Sequence, residues 1–166
     1  MSATTTTSAP GASAKGSALL EVDDLYVDFS TEHGWVNIVD GANFSLDRGT
    51  TLGLVGESGS GKSVTSLAIM GLLQKGAGRV RSGSIRLDGV ELTTLSEQRL
   101  QDVRGERMAM IFQEPATSLN PAFTVGDQIA EMVRRHRRVG RSAAWDRAVE
   151  VLGEVGIPNP RRRAKA

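Results

Sequence analysis

No cysteine occurs among the 166 residues, which excludes a disulfide framework and thiolate metal sites and fits a reducing compartment, the cytoplasm by default. Aromatic residues make up 4% of the chain, few platforms on which to stack bases of a nucleic acid. Long apolar runs are missing as well. None approaches the ~20 residues that span a bilayer, and the longest, Leu67 to Leu73, reads as a helix, so any membrane association has to run through a partner. Charge of one sign is scarce overall, at net +1, yet ten of the 20 Lys and Arg lie between residues 134 and 165 against the acids Asp146, Glu150 and Glu154. Two readings fit Arg134-Arg135-His136-Arg137-Arg138 and Arg161-Arg162-Arg163: a phosphate-attracting patch, or a solvated helix face with cations at the favourable end of the dipole. The low aromatic content favours the second, and no nucleic-acid partner is expected.

What is present in quantity is small residues. Met1 to Ser17 is almost wholly Ser, Thr, Ala, Gly and Pro, and without the apolar centre of a secretory signal it reads as a disordered tail over residues 1–18. From Leu20 the apolar positions alternate (Leu20, Val22; Leu25, Val27, Phe29; Val36, Ile38; Ala42, Phe44, Leu46), with breaks expected at His33-Gly34 and Asp40-Gly41. This predicts half-buried antiparallel sheet. Thr51 to Val55 is a short apolar run of the kind that forms a buried parallel strand, and Val64 to Leu73 follows as its helix.

Between them lies Gly56-Glu57-Ser58-Gly59-Ser60-Gly61-Lys62-Ser63, which satisfies GxxxxGK(S/T) in the required strand, loop, helix order. Glycines let successive backbone N–H groups converge on phosphate oxygens at a helix N-terminus, where the dipole also favours an anion. Lys62 brings a mobile charge to the β- and γ-phosphates, and the Ser63 hydroxyl is a hard-oxygen ligand for Mg²⁺. The bland alternative, a glycine-rich turn with a chance lysine, does not account for that order.

Further on, Ile85 and Leu87 resume alternation up to the turn Asp88-Gly89, and Leu95 to Val103 predicts a short helix with Ser96 as a cap. Met108 to Phe112 is expected as a second buried strand, stopped by Gln113-Glu114-Pro115. After Pro121 the period turns helical. Thr124 is expected to cap a helix with Val125, Ile129, Met132 or Val133, and His136 on one face; Ser142 to cap another with Trp145, Val149, Leu152 and Val155 inward, ended by Gly156 and Pro158. His33 and His136 lack metal-ligand spacing and a paired carboxylate, and receive no role.

The phosphate loop, Arg107 to Pro115 and Thr117 to Gly126 together resemble the ATP-binding subunits of ABC transporters, most of all those of peptide importers, over about residues 20 to 163. The resemblance implies an α/β fold of the P-loop NTPase type: an N-terminal antiparallel β subdomain and a partial RecA-like core over 19–121, then the start of a helical subdomain over 122–166. It implies ATP and Mg²⁺ as cofactors, with Gly56, Ser58, Gly59, Ser60, Gly61, Lys62 and Ser63 around the phosphates and metal. By the same resemblance Lys62 and Gln113 are expected to carry the catalytic roles, Gln113 as the Q-loop glutamine that ligates Mg²⁺ and senses the γ-phosphate; the bland alternative for Gln113 is a strand-end side chain satisfied by backbone. Phe29 matches the aromatic that stacks on adenine. Trp35 stays open as an alternative, and an aromatic alternating with Leu25 and Val27 is otherwise a core residue.

Expected partners are transmembrane permease subunits, a second ATP-binding subunit arranged head to tail and, indirectly, an extracytoplasmic solute-binding protein. The expected place is the cytoplasmic face of the inner membrane. The family pattern continues with an LSGGQ-type signature, a Walker B strand and a switch histidine, and no such strings occur between Met1 and Ala166. The family places further strands between the phosphate-loop strand and the Gln113 strand. The chain thus reads as the N-terminal part of an ABC ATPase, expected to hydrolyse no ATP alone; the alternative is a nucleotide-binding fragment, inert or regulatory. A GTPase is disfavoured by the lack of an NKxD string, and a small-molecule kinase would not call for the Gln113 to Gly126 constellation.

Overall fold

The computed structural model describes residues 18–112 and 119–166. They form two compact units that divide at Leu100/Gln101. The first is built on a four-stranded antiparallel sheet in the order β2-β1-β3-β4, with β1 Ala18–Thr31, β2 Gly34–Asp47, β3 Gly78–Leu87 and β4 Val90–Glu91. The alternation anticipated from Leu20 onward is therefore present. The tight turn at Glu32-His33 is held by Thr31 Oγ1, which donates to the Gly34 carbonyl at 2.8 Å and accepts from the His33 N–H at 3.3 Å. Asp40-Gly41 does not break the second strand. Gly41 takes a left-handed backbone (φ 66°), the β1–β2 register shifts there, and β2 runs on to Asp47.

Val22, Leu25, Val27 and Ile85 are completely buried at the centre of this unit. Helix α1 (Lys62–Ile69) packs against the sheet and buries Thr65 and Ala68. It ends before the expected Leu73, since Gly71 adopts a left-handed conformation (φ 62°). Asp88 and Gly89, both left-handed (φ 51° and 74°), close the two-residue β3–β4 turn.

Two expected strands are absent. Thr51–Val55 carries no strand pairing, and Leu52, Leu54 and Val55 are exposed, Val55 at 96%. Met108–Phe112 likewise forms no strand beyond an isolated bridge from Met108 to Arg104, and Ile111 is 93% exposed. The reason is physical: a parallel strand exists only beside hydrogen-bonding neighbours, and among the described residues no strand lies next to either segment.

Helix α2 (Glu97–Val103) begins with the Ser96 hydroxyl accepting from the Arg99 N–H at 3.4 Å. The second unit continues with α3 (Val125–Arg137), α4 (Arg141–Glu154) and α5 (Pro160–Arg163). Thr124 caps α3 as expected, its Oγ1 accepting from the Asp127 N–H at 3.1 Å. Ser142 does not cap α4, because the helix starts at Arg141, with Gly140, two residues before Ser142, in the cap position. Small residues bring α3 and α4 together: Ala130, Ala144 and Ala148 are buried, with Ile129 and Val133 packed against them; Leu152 is buried as expected and Val133 rather than Met132 turns inward, while Val155 is exposed. The inward face is thus narrower than the large residues suggest. Arg134, Arg135 and Arg137 occupy the last turn of α3, where the dipole favours cations, and Arg135 pairs with Asp102 at 2.6 Å.

The outer face of the sheet holds a buried carboxylate. Asp28 is 3% exposed and accepts from Asn37 Nδ2 at 3.2 Å and from Arg79 Nη2 at 3.3 Å, with Arg81 at 3.7 Å. The Asn37 hydrogen bond, with help from the two guanidinium groups, outweighs burial and lowers the Asp28 pKa below its ordinary value of 3.8. A lowered folded-state pKa stabilises the fold above the ordinary value and is lost as pH falls through the folded one. Thermal midpoints measured from about pH 5 downward should fall steeply in the native chain and less steeply in Asp28→Asn; parallel curves would contradict this.

Candidate functional site

Gly56 to Ser63 folds as a loop that closes on the N-terminus of α1. Gly59 and Gly61 are left-handed (φ 83° and 86°) on either side of Ser60, which lacks a positive φ, and such alternation turns successive N–H groups toward one concavity. Gly61 occupies the N-cap position. A Cβ on it would meet the Ile38 carbonyl oxygen at 3.0 Å and Val39 Cγ2 at 3.3 Å, so β2 forms the floor of the loop. A Cβ on Gly56 would meet Ser60 Oγ at 2.7 Å, which leaves glycine as the residue that fits without displacing that hydroxyl.

Within this loop the Ser60 N–H is used, donating to the Glu57 carbonyl at 3.2 Å. The N–H groups of Gly59, Gly61, Lys62, Ser63 and Val64 have no hydrogen-bond acceptor among the described residues. No carboxylate stands in the first turn of α1. The contrast with α3 is direct. There Val125 N–H donates to the Ala166 carbonyl (3.0 Å), Gly126 N–H to that of Ala164 (2.8 Å), Asp127 N–H to Thr124 Oγ1 and Gln128 N–H to the Thr124 carbonyl (3.1 Å). One helix start is fully satisfied; the other is left open to an anion.

Lys62 arches over the loop, donating from Nζ to the carbonyls of Gly56 and Glu57, both at 2.7 Å, and to Ser60 Oγ at 3.1 Å. Its charge is thereby held at the mouth of the same concavity. Ser58, Ser60 and Ser63 are exposed, whereas Thr65 is buried and donates to the Gly61 carbonyl at 3.0 Å. No group of His, Asp or Glu able to hold a metal occurs among the described residues. The exposed Ser63 hydroxyl offers one oxygen at the start of α1, as many as a cation needs that takes the rest of its shell from phosphate and water.

Phe29 lies on the face of β1 that carries Val27, whose cross-strand partner Val39 floors the loop; Phe29 is half-buried. Trp35 is on the opposite face, covered by the Arg79 guanidinium at 4.0 Å from the ring centre. Gln113 lies outside the described residues, as do Glu114 to Ser118. In the loop that follows, Gln128 clasps the chain: its Nε2 donates to the carbonyls of Asn120 (2.9 Å) and Phe123 (3.0 Å), and its Oε1 accepts from the Asn120 N–H (2.9 Å). Sequence reasoning missed Gln128. An amide in the first turn of a helix carries no signal that it will reach back over the preceding loop.

Gly61→Ala should lower the thermal midpoint and abolish the open helix start, since a left-handed backbone costs about 1–2 kcal/mol for a residue with a Cβ and that Cβ would press on the Ile38 carbonyl. A midpoint equal to that of the native chain, read by circular dichroism, would contradict this floor-and-loop geometry.

Comparison with known proteins gives a consistent picture. The sequence profile of the family described as "ABC transporter" matches residues 39–166. The chain is 52% identical over 145 residues to the oligopeptide transport ATP-binding protein OppD of Bacillus subtilis, covering 87% of this chain and 40% of that protein. It is 46% identical over 165 residues to OppD of Escherichia coli (99% and 48%) and 44% identical over 147 residues to the dipeptide transport ATP-binding protein DppD of B. subtilis (89% and 44%). It thus spans less than half the length of these relatives. Among solved structures, a dimeric bacterial ABC transporter cassette, MJ0796, superimposes with a TM-score of 0.70 at 21% identity, covering 88% of this chain and 60% of that one. The same cassette in a post-hydrolysis state bound to ADP and phosphate gives 0.68. The fold is that of an ABC cassette.

Proposed function

The chain belongs to the ABC transporter family, and from that premise we propose that it is the nucleotide-holding part of an ATP-binding subunit that energises import of peptides or related solutes. The observation that carries the reading is the open start of α1, with the N–H groups of Gly59, Gly61, Lys62, Ser63 and Val64 unpaired around one lysine. Names of relatives at 44–52% identity support the peptide branch.

In this reading the loop amides receive the phosphate oxygens, and Lys62 exchanges its carbonyl partners for the β- and γ-phosphates. Charge-assisted bonds exceed those to neutral acceptors, which drives the exchange. Mg²⁺, when bound, neutralises phosphate charge, with Ser63 as its protein oxygen and Gln113 as the second proposed ligand. Phe29 offers the base an aromatic face on the loop side of the sheet, whereas Trp35 stands on the opposite face beside Arg79.

Turnover and transport belong to the assembled protein: a second ATP-binding subunit placed head to tail, permease subunits at the cytoplasmic face of the membrane, and a solute-binding protein beyond it. Hydrolysis by residues 1–166 alone is expected to stay at background, since no LSGGQ-type string is available to complete the site. The exposed apolar segments at Leu52–Val55 and Ile111-Phe112 are proposed to pair with strands from outside these residues.

Lys62→Ala should weaken Mg-ATP binding at least about tenfold, as a charge-assisted bond is worth roughly 1.5–3 kcal/mol. Calorimetry showing native affinity in a folded variant would remove the reading. Phe29→Ala should weaken ATP by about two- to tenfold while leaving inorganic triphosphate unchanged. Equal losses for both ligands would return Phe29 to the core.

A further inference from the structure

Phe29 is paired across the sheet with Val36 on β2 and with Gly78 on β3. A Cβ on Gly78 would stand 3.0 Å from Cζ of the Phe29 ring and 3.3 Å from both of its Cε atoms. Those near-equal distances place it above the face of the ring; an approach along the ring plane would leave both Cε atoms farther away. Phe29 therefore lies flat over the bare backbone of Gly78. The residue as a whole is half-buried.

The seat is tied to the phosphate loop by the chain itself. Helix α1 leaves the loop, and the turn after it is fixed by the N–H groups of Ala77 and Gly78, which donate to the Gln74 carbonyl at 3.0 and 2.8 Å. The Ala77 carbonyl in turn accepts from the Ser30 N–H at 2.8 Å, extending the β1–β3 pairing past Phe29. On the opposite face Asp28, the residue before Phe29, binds Asn37 of β2 and Arg79 of β3 and so holds all three strands in register beneath the ring.

We propose that Gly78 is a positioning residue for nucleotide binding: lacking a Cβ, it lets the Phe29 ring lie flat on β3 and present its other face to the base. The inference rests on the reading of Phe29 as the base-stacking ring. The backbone at Gly78 does not lie in the left-handed region, so alanine fits its conformation and acts through the ring alone.

Gly78→Ala is the test, with ATP and inorganic triphosphate titrated against the 166-residue chain alongside Phe29→Ala and the double variant. Gly78→Ala should weaken ATP by about threefold or more, within the span of an aromatic contact, leave triphosphate affinity unchanged, and add nothing to the ATP loss in the Phe29→Ala background. A purely structural role would weaken both ligands alike and overturn the proposal. If Phe29→Ala loses ATP selectively and Gly78→Ala does not, the stacking reading stands and the role of Gly78 falls; if Phe29→Ala spares ATP selectivity, both fall. A measurement on the native chain is independent of how the variant folds. Gly78 Hα should show upfield ring-current shifts and nuclear Overhauser contacts to the Phe29 ring protons that persist with ATP bound; their absence would overturn the seat.

Discussion

Much of the candidate site depends on one close approach, that of Gly61 to the Ile38 carbonyl and Val39. A left-handed residue without a Cβ can be laid directly on the β2 backbone, and the helix that begins there must start without a side-chain cap. The same geometry leaves the first-turn N–H groups unanswered by the protein. In most helices such donors are satisfied locally, as they are in α3 of this chain, where Thr124 and two C-terminal carbonyls take them. The difference between the two helix starts is chemical, since they obey the same backbone rules and differ in what has been placed opposite the donors.

Lys62 completes the arrangement by lending its charge to the loop's own carbonyls. A flexible cation with neutral acceptors is held in place and is still exchangeable, because a phosphate offers stronger bonds than a carbonyl. The sheet plays a less obvious part. Its inner face supplies the floor at Val39 and the ring of Phe29. Its outer face locks the strands through Asp28, Asn37 and Arg79, so the distance between loop and ring is set by packed secondary structure.

Much of this was legible in the residues. The GxxxxGK(S/T) spacing located the loop to the residue, the alternation from Leu20 to Leu46 marked the antiparallel sheet, and Thr124 marked the start of α3. The failures share a cause. Thr51–Val55 and Met108–Phe112 have the composition of buried strands, but composition reports what a segment would bury and not whether a neighbour is there to pair with it; Val55 and Ile111 stand exposed. Ser142 and Gly140 compete for one cap, and intrinsic preference does not decide which residue the helix start reaches. The roles of Gly78 and Gln128 were invisible because each depends on a contact across the fold: a ring from another strand in one case, carbonyls of a preceding loop in the other.

The central claim is that the unpaired backbone amides around Gly59 to Val64 are the phosphate receptor. Amide chemical shifts followed by heteronuclear NMR during titration with Mg-ATP, and separately with inorganic triphosphate, test it at the atoms concerned. The account predicts that the amides of Gly59, Gly61, Lys62, Ser63 and Val64 move together and saturate with both ligands, while the satisfied amides of Val125 to Gln128 stay still. Saturable nucleotide binding that leaves the Gly59 to Val64 amides unmoved would contradict it.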